Sequence, residues 1–193
     1  MTDDNDFARL VSLACHDLRT PLATVHGFAT TLTRGGGLEP PADKYVEMID
    51  AASLQLAELI DELSLAAQIE SGRYDPTPRE ADTLELAQAA AARLGEERVN
   101  VAGSGAAVET DVDAVERGLA ALFQSALRHG GLEAVEVEVD GSEIRLSPVT
   151  AASAPVVLGD DLRDLGAAVA GRLVRRLGGS LSLAGETLTI RLA

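Results

Sequence analysis

Apolar residues recur at steps of three and four along the first 34 positions, which predicts an amphipathic helix over about residues 3–34. The seam consists of Phe7, Val11, Ala14, Leu18, Leu22, Val25, Ala29 and Leu32. Pro21 removes one backbone donor and is expected to bend this helix. The glycines at 35–37 end the helix, and the two prolines that follow delay the next one.

A second seam with the same spacing predicts another helix over about residues 42–71. Its members are Tyr45, Ile49, Ala52, Leu56, Leu59, Leu63 and Ala66. Together the two helices predict an antiparallel hairpin about 45 Å long. Because a lone hairpin buries only one face of each helix, we expect a homodimer with a four-helix core. The alternative is a monomer in which the C-terminal part covers both seams.

From Arg79 onward the pattern changes to short helical and strand-like segments. Capping-box spacing in Asp82 with Glu85, and in Asp113 with Glu116, predicts helices ending near 94 and 128. Strands are expected near 99–101, 134–139 and 143–146, a helix over about 161–177, and a closing hairpin over 180–183 and 187–192. The fold class is therefore α+β. We expect a helical hairpin over residues 1–75 and a small α/β sandwich over residues 79–193.

Composition narrows the range of partners. The formal charge is -15, and the sequence has no Lys/Arg cluster that would suit nucleic acid or an anionic membrane. No apolar run approaches the roughly 20 residues that span a bilayer, and the first residues do not resemble a signal peptide, so we expect a cytoplasmic protein. Cys15, the only cysteine, is expected to be a packing residue.

One histidine on the first helix is the candidate reactive group. His16 is two residues from both Ala14 and Leu18, about 200° around the helix, so it is expected to face away from the seam. Thr20 is one turn further along the same face, and the carboxylate of Asp17 can orient an imidazole nitrogen.

Residues 16–22 read HDLRTPL, and Ser12 and Phe7 precede them while His26-Gly27-Phe28 follows. This run resembles the phosphoacceptor box of the sensor histidine kinase family, and the Ile-Glu-Ser-Gly run at 69–72 is similar to the end of that family's hairpin. The resemblance implies that His16 carries a phosphoryl group. It also implies a partner, the receiver domain of a response regulator, which supplies an aspartate and its own Mg²⁺.

The same resemblance suggests roles for three neighbours of His16, each with a plainer alternative. Asp17 would hold one ring nitrogen, or be a solvated helix charge. Arg19 would steady phosphate oxygens, or be an ordinary surface arginine. Thr20 would align a water molecule that removes phosphate from the receiver, or only bond its own backbone.

The order of elements after residue 79 is similar to a shortened ATPase-like domain of the same family, but its nucleotide motifs are replaced. Where the family has Asn-Leu-Leu-x-Asn-Ala, residues 121–126 read ALFQSA, so Ala121 and Ser125 replace both asparagines. Where the family has Asp-x-Gly-x-Gly, residues 146–151 read LSPVTA, and the flexible lid is shortened. We therefore expect that the chain binds neither ATP nor a metal ion of its own, because each lost contact to a charged ligand costs affinity. Arg128 and His129 remain, as ordinary residues at a helix C-terminus.

The leading hypothesis from this resemblance is that the chain is a histidine phosphotransferase, which carries phosphoryl groups between receiver domains through His16. A non-catalytic docking protein and a receiver phosphatase are the alternatives. An active histidine kinase is disfavoured by the replaced nucleotide motifs.

Overall fold

A computed structural model of the chain describes the backbone of residues 2–95 and 97–193, and the side chains of residue 8 and of residues 11–95 and 97–193. The chain forms two compact units, Met1–Tyr74 and Asp75–Ala193. The first is helical and the second is an α/β domain, so the predicted order of a helical part followed by an α/β part is confirmed.

The first unit consists of α1 (Thr2–Gly35) and α2 (Ala42–Glu70). The helices run antiparallel, since Thr30 bonds Asp50 near the connection while Arg19 bonds Asp61 further from it. Helix α1 continues through Pro21. The side chain of Phe7, which we assigned to the first seam, lies outside the described side chains.

Small residues are buried where the two helices meet, and of these only Ala29 belongs to the predicted seams. The buried residues are Ala8, Cys15 and Ala29 on α1 and Ser53, Ser64 and Ala67 on α2. Larger residues of the seam, among them Leu18, Val25 and Leu32, are about half exposed, and so are Ile49, Leu56 and Leu59 on α2. The larger seam residues are therefore not covered by contact within the hairpin.

The second unit contains the remaining elements. They are β1 (Arg79–Asp82), α3 (Thr83–Ala92), β2 (Val99–Gly105), β3 (Ala107–Thr110), α4 (Val112–Gly130), β4 (Val135–Gly141), β5 (Glu143–Ser147), α5 (Ala154–Val157), α6 (Leu165–Arg176), β6 (Ser180–Ala184) and β7 (Thr187–Arg191). Strands β1 and β3 form a small antiparallel sheet. The main sheet has the order β2-β4-β5-β7-β6, in which β2 and β4 are parallel and the other pairs are antiparallel.

Alternation along the central strands places one face of the main sheet in the core. The inward side chains Val135, Val137, Val139, Ile144, Leu146, Leu188 and Ile190 are all buried. They form one cluster with Leu86 of α3, with Leu119, Phe123 and Leu127 of α4, and with Ala170 of α6. The predicted hairpin between β4 and β5 is confirmed, and Gly141 takes the positive φ of 59° that its turn requires.

Several predicted boundaries in this unit were wrong. Helix α4 is capped by Asp111, whose side chain accepts from the Ala114 amide, rather than by Asp113, whose carboxylate lies 3.1 Å from Arg79. Helix α6 begins after Asp164, four residues later than predicted, because the Asp164 carboxylate accepts from the Ala167 amide. Strands β1 and β3 and the short α5 were not predicted. In the described part of the chain no helix is long and apolar enough to cross a membrane.

Candidate functional site

His16 lies on the exposed side of α1, in the helical unit. Its side chain is 78% exposed, whereas Cys15 beside it is fully buried. Consecutive helical residues are about 100° apart, so burial of Cys15 turns the imidazole of His16 outward. The exposure predicted for His16 and the packing role predicted for Cys15 are both found in the structure.

The imidazole has a carboxylate beside it. His16 Nδ1 lies 3.3 Å from Asp17 Oδ1, at the long end of hydrogen-bond distance, and both side chains are exposed. When Nδ1 carries the proton and donates to Asp17, the lone pair of Nε2 is available as a nucleophile. The contact is therefore compatible with the orienting role predicted for Asp17.

Arg19 is held by the second helix. Its Nε and Nη2 donate to Asp61 Oδ1 over 3.1 and 2.8 Å, and both side chains are about half exposed. Thr20, one turn beyond His16, is exposed, and its carbonyl accepts from the Thr24 hydroxyl. The four predicted site residues thus lie together on one or two turns of α1, and their roles in a reaction stay predictions.

Asp61 was not predicted, although the sequence contains a signal for it. In an antiparallel hairpin, residues equally distant from the connection face each other. Thr30 and Asp50 are each ten residues from Pro40, and Arg19 and Asp61 are each 21 residues from it. This spacing, combined with opposite charge, would have identified the pair.

A second polar cluster lies nearer the connection between the helices. Thr30 donates to Asp50 over 2.8 Å, and His26 Nδ1 lies 2.9 Å from the same carboxylate oxygen. His26 and Asp50 are at ion-pair distance but lack the alignment of a hydrogen bond. His26 is 37% exposed, about half the exposure of His16, which leaves His16 as the more accessible histidine of this unit.

In the α/β domain, buried residues occupy the segments that correspond in position to the family's nucleotide motifs. Ser125 is fully buried on α4, and among the described residues its hydroxyl has no hydrogen-bond partner. Val149, in the segment that replaces the glycine motif, is also buried, as is Val157 of α5. Both valines belong to the main hydrophobic cluster.

His129 is not simply a surface residue at the end of α4, as we had expected. Its Nε2 lies 3.2 Å from Asp164 Oδ2, and both side chains are mostly buried. Arg128 Nη1 lies 4.0 Å from the same oxygen. Since Asp164 also caps α6, this contact joins the ends of two helices.

Comparisons with known proteins agree with the resemblance of the helical unit. Residues 8–72 match the family model of the His Kinase A (phospho-acceptor) domain. The sensor protein DivL of Caulobacter vibrioides is 39% identical over 67 residues, which are 35% of this chain and 8% of DivL. The chain therefore spans a small part of the length of this relative.

Solved structures extend the similarity to both units. Full-length ShkA, crystallised in complex with AMPPNP, has a TM-score of 0.68 at 20% identity, covering 96% of this chain and 46% of ShkA. The Acinetobacter baumannii histidine kinase AdeS has a TM-score of 0.55 at 19% identity, covering 92% of this chain and 97% of AdeS. At such low sequence identities, these two structures show only that the fold is similar.

The match of residues 8–72 identifies a phospho-acceptor domain, and the α/β domain that follows has the fold found in histidine kinases. The family match is thus limited to residues 8–72, and for the rest of the chain the comparisons show a similar fold.

Proposed function

We propose that this chain is a histidine phosphotransferase that carries a phosphoryl group on His16 between receiver-domain aspartates without using ATP. The observation that carries the proposal is the position of His16, which is exposed on α1 inside the region that matches the phospho-acceptor domain. The family implies response regulators as partners.

The chemistry needs a neutral imidazole and a phosphorylated carboxylate. Nε2 of His16 attacks the phosphorus of the receiver's aspartyl phosphate, a nitrogen–phosphorus bond forms, and the bond from phosphorus to the aspartate oxygen breaks. The aspartate leaves as a carboxylate, with the bonding electron pair. The reverse sequence moves the group to a second receiver. Neutral imidazole is a nitrogen nucleophile, and the exposure of the His16 side chain leaves it accessible to the receiver.

Two features support the proposal that the chain does not use ATP. Ser125 stands where the family has an asparagine, and a buried hydroxyl is a poor replacement for an amide oxygen as a ligand of Mg²⁺. Val149, in the segment that replaces the glycine motif, places its methyl groups in the core, and Val157, in the segment that corresponds to the shortened lid, does the same. Neither residue offers a backbone amide in a phosphate-binding loop. The residues at these positions therefore do not fit a magnesium nucleotide, and the receiver's acidic pocket would supply the Mg²⁺.

The proposal includes a homodimer. Many of the large residues of the predicted seams, such as Leu18 and Val25 on α1 and Leu56 and Leu59 on α2, remain exposed in the hairpin. A second copy with the same seams would bury them in a four-helix core. The acidic chain has no Lys/Arg cluster that would bind nucleic acid or an anionic membrane, so the proposal includes neither as a partner. The proposed location is cytoplasmic.

A receiver phosphatase is the second candidate function. Thr20 is exposed one turn from His16, and a hydroxyl there can orient a water molecule toward a docked aspartyl phosphate. A phosphatase would release inorganic phosphate from the receiver and leave no label on the chain.

The test mixes the purified chain with a receiver domain that carries a labelled aspartyl phosphate. The proposal predicts label on this chain that is unstable to acid, is lost in His16→Ala and is kept in His26→Gln. Label that persists in His16→Ala contradicts the proposal. Phosphate release without labelled chain, abolished by Thr20→Ala, identifies the phosphatase instead.

A further inference from the structure

We propose that Asp61 is a positioning residue that holds Arg19 on α2 and releases it to the phosphoryl group when His16 is phosphorylated. This inference rests on the proposed function only in that His16 is taken as the phosphorylated residue. It assigns a role to a side chain on the second helix, outside the run of residues around His16.

The guanidinium of Arg19 donates two hydrogen bonds to a single acceptor atom, Asp61 Oδ1. Both Nε and Nη2 of Arg19 donate to Asp61 Oδ1, and this contact connects the turn that carries His16 to α2. Both side chains are about half exposed. An exposed ion pair is weak, so a stronger acceptor nearby can replace Asp61.

Phosphorylation of His16 creates such an acceptor. His16 and Arg19 are three residues apart on α1, and side chains at this spacing are neighbours on a helix surface. A phosphoryl group has about -1.5 to -2 charges and three acceptor oxygens, and a guanidinium binds phosphate oxygens in a bidentate manner. The phosphoryl group and the Asp61 carboxylate therefore compete for one guanidinium.

Because of this competition, Asp61 should reduce the extent to which Arg19 neutralises the phosphoryl group. With Asp61 present, part of the Arg19 population stays on α2, and the phosphoryl group is less fully neutralised. Without the carboxylate, Arg19 is free to bind the phosphoryl oxygens. Asp17, beside the imidazole, remains the same in all the variants below and contributes a constant field.

The test needs neither a receiver nor ATP. The full chain is phosphorylated with phosphoramidate, where the imidazole nitrogen attacks phosphorus and ammonia leaves with its bonding electron pair. The ³¹P NMR signal that disappears in His16→Ala is assigned to His16, and its titration gives the pKa of the phosphoryl group. An adjacent cation lowers that pKa, because it favours the dianion.

We expect Arg19→Ala to raise the phosphoryl pKa by about 0.2 to 0.7, the range typical of exposed ion pairs. Asp61→Asn should lower this pKa in the presence of Arg19 and leave it unchanged in the Arg19→Ala background. Asp61→Glu keeps the carboxylate and should restore a value close to the original. Glu58→Gln, which removes a charge from the exposed face of the same helix, is the matched control and should have little effect.

Two results would overturn the proposal. An equal shift from Asp61→Asn with and without Arg19 would show a simple field effect of the lost charge. No shift in either Arg19→Ala or Asp61→Asn would show that the guanidinium does not contact the phosphoryl group. Either result leaves the receiver-labelling test unaffected, so failure of this inference is distinct from failure of the proposed function.

Discussion

Cys15 and His16 are consecutive on α1, yet Cys15 is fully buried and the side chain of His16 is 78% exposed. Cys15 is buried together with Ala8 and Ala29 of the same helix, and this rotation of α1 leaves the imidazole in solvent. The residues that pack within the hairpin thus leave His16 accessible to a partner.

This relationship predicts that substitution at Cys15 changes the free energy of unfolding more than substitution at His16. Cys15→Leu adds volume to a closely packed contact and should lower the free energy of unfolding by about 1–3 kcal/mol. His16→Ala removes an exposed side chain and should change it by less than about 0.5 kcal/mol. Urea denaturation at one fixed protein concentration measures both. A larger loss at His16 than at Cys15 would contradict this rotation of the helix.

The exposed seam of α2 is part of the surface through which we propose that the chain dimerises. Leu59→Lys places a charge in the apolar interface that we propose, and should convert the dimer to a monomer at micromolar concentration. Ala51→Lys, an exposed position outside the seam, is the control and should remain dimeric. Light scattering after size-exclusion chromatography distinguishes the two states. A monomeric unmodified chain would refute the dimer.

The buried hydroxyl of Ser125 is expected to destabilise the α/β domain. Ser125→Ala removes a polar group that has no partner among the described residues. The free energy of unfolding should therefore rise by about 1–3 kcal/mol. Ser125→Asn restores the family's residue but overpacks the site and should be destabilising.

A buried hydroxyl that does have partners provides the control for Ser125. Thr83 donates to the Gly141 carbonyl and accepts from the Ala106 amide, so Thr83→Val should destabilise the same domain. Thermal denaturation reports all three variants. A loss of stability in Ser125→Ala would mean that the hydroxyl has a partner, such as an ordered water molecule.

Protonation of Glu143 at low pH should lower the stability of the α/β domain. Hydrogen bonds from Arg191, and then from Arg145, hold the pKa of Glu143 below its usual value of 4.5. A lowered pKa in the folded state stabilises the fold above the usual pKa, and this contribution is lost as the pH falls through the lowered value.

Glu143→Gln tests this contribution. The variant should lose less stability than the unmodified protein as the pH falls below about 4.5, and Arg191→Gln should show a similar but smaller change because Arg145 still donates. Chemical denaturation across this pH range gives the comparison. Parallel pH profiles for the unmodified protein and Glu143→Gln would rule out the contribution.

The sequence predicted elements whose signals are local. Helix spacing, the glycines after α1 and the Asp140-Gly141 turn depend on neighbouring residues, and they located α1, α2, β4 and β5. The face by which α1 contacts α2 could not be predicted from apolar periodicity, because small residues outside the seams, such as Cys15 and Ser64, are buried there while larger seam residues remain exposed. Capping-box spacing did not distinguish Asp111 from Asp113: α4 begins at Val112, so Asp111 caps it and Asp113 lies in its first turn.

The same distinction applies to the candidate site. His16, Asp17, Arg19 and Thr20 are contiguous, so motif and helical spacing were sufficient to group them. Asp61 is 42 residues from Arg19, and only the pairing of the two helices brings them together. The contact between His129 and Asp164 likewise depends on where α6 begins, which the periodicity placed too early.

The central claim is that His16 exchanges phosphoryl groups with receivers and does not obtain them from ATP. One measurement tests it directly: the chain is incubated with labelled Mg-ATP in one tube and with a labelled phosphoreceiver in another, and acid-labile label on His16 is compared. We predict label from the receiver alone. Label from ATP, abolished by His16→Ala, would contradict the account and show that the α/β domain still binds nucleotide.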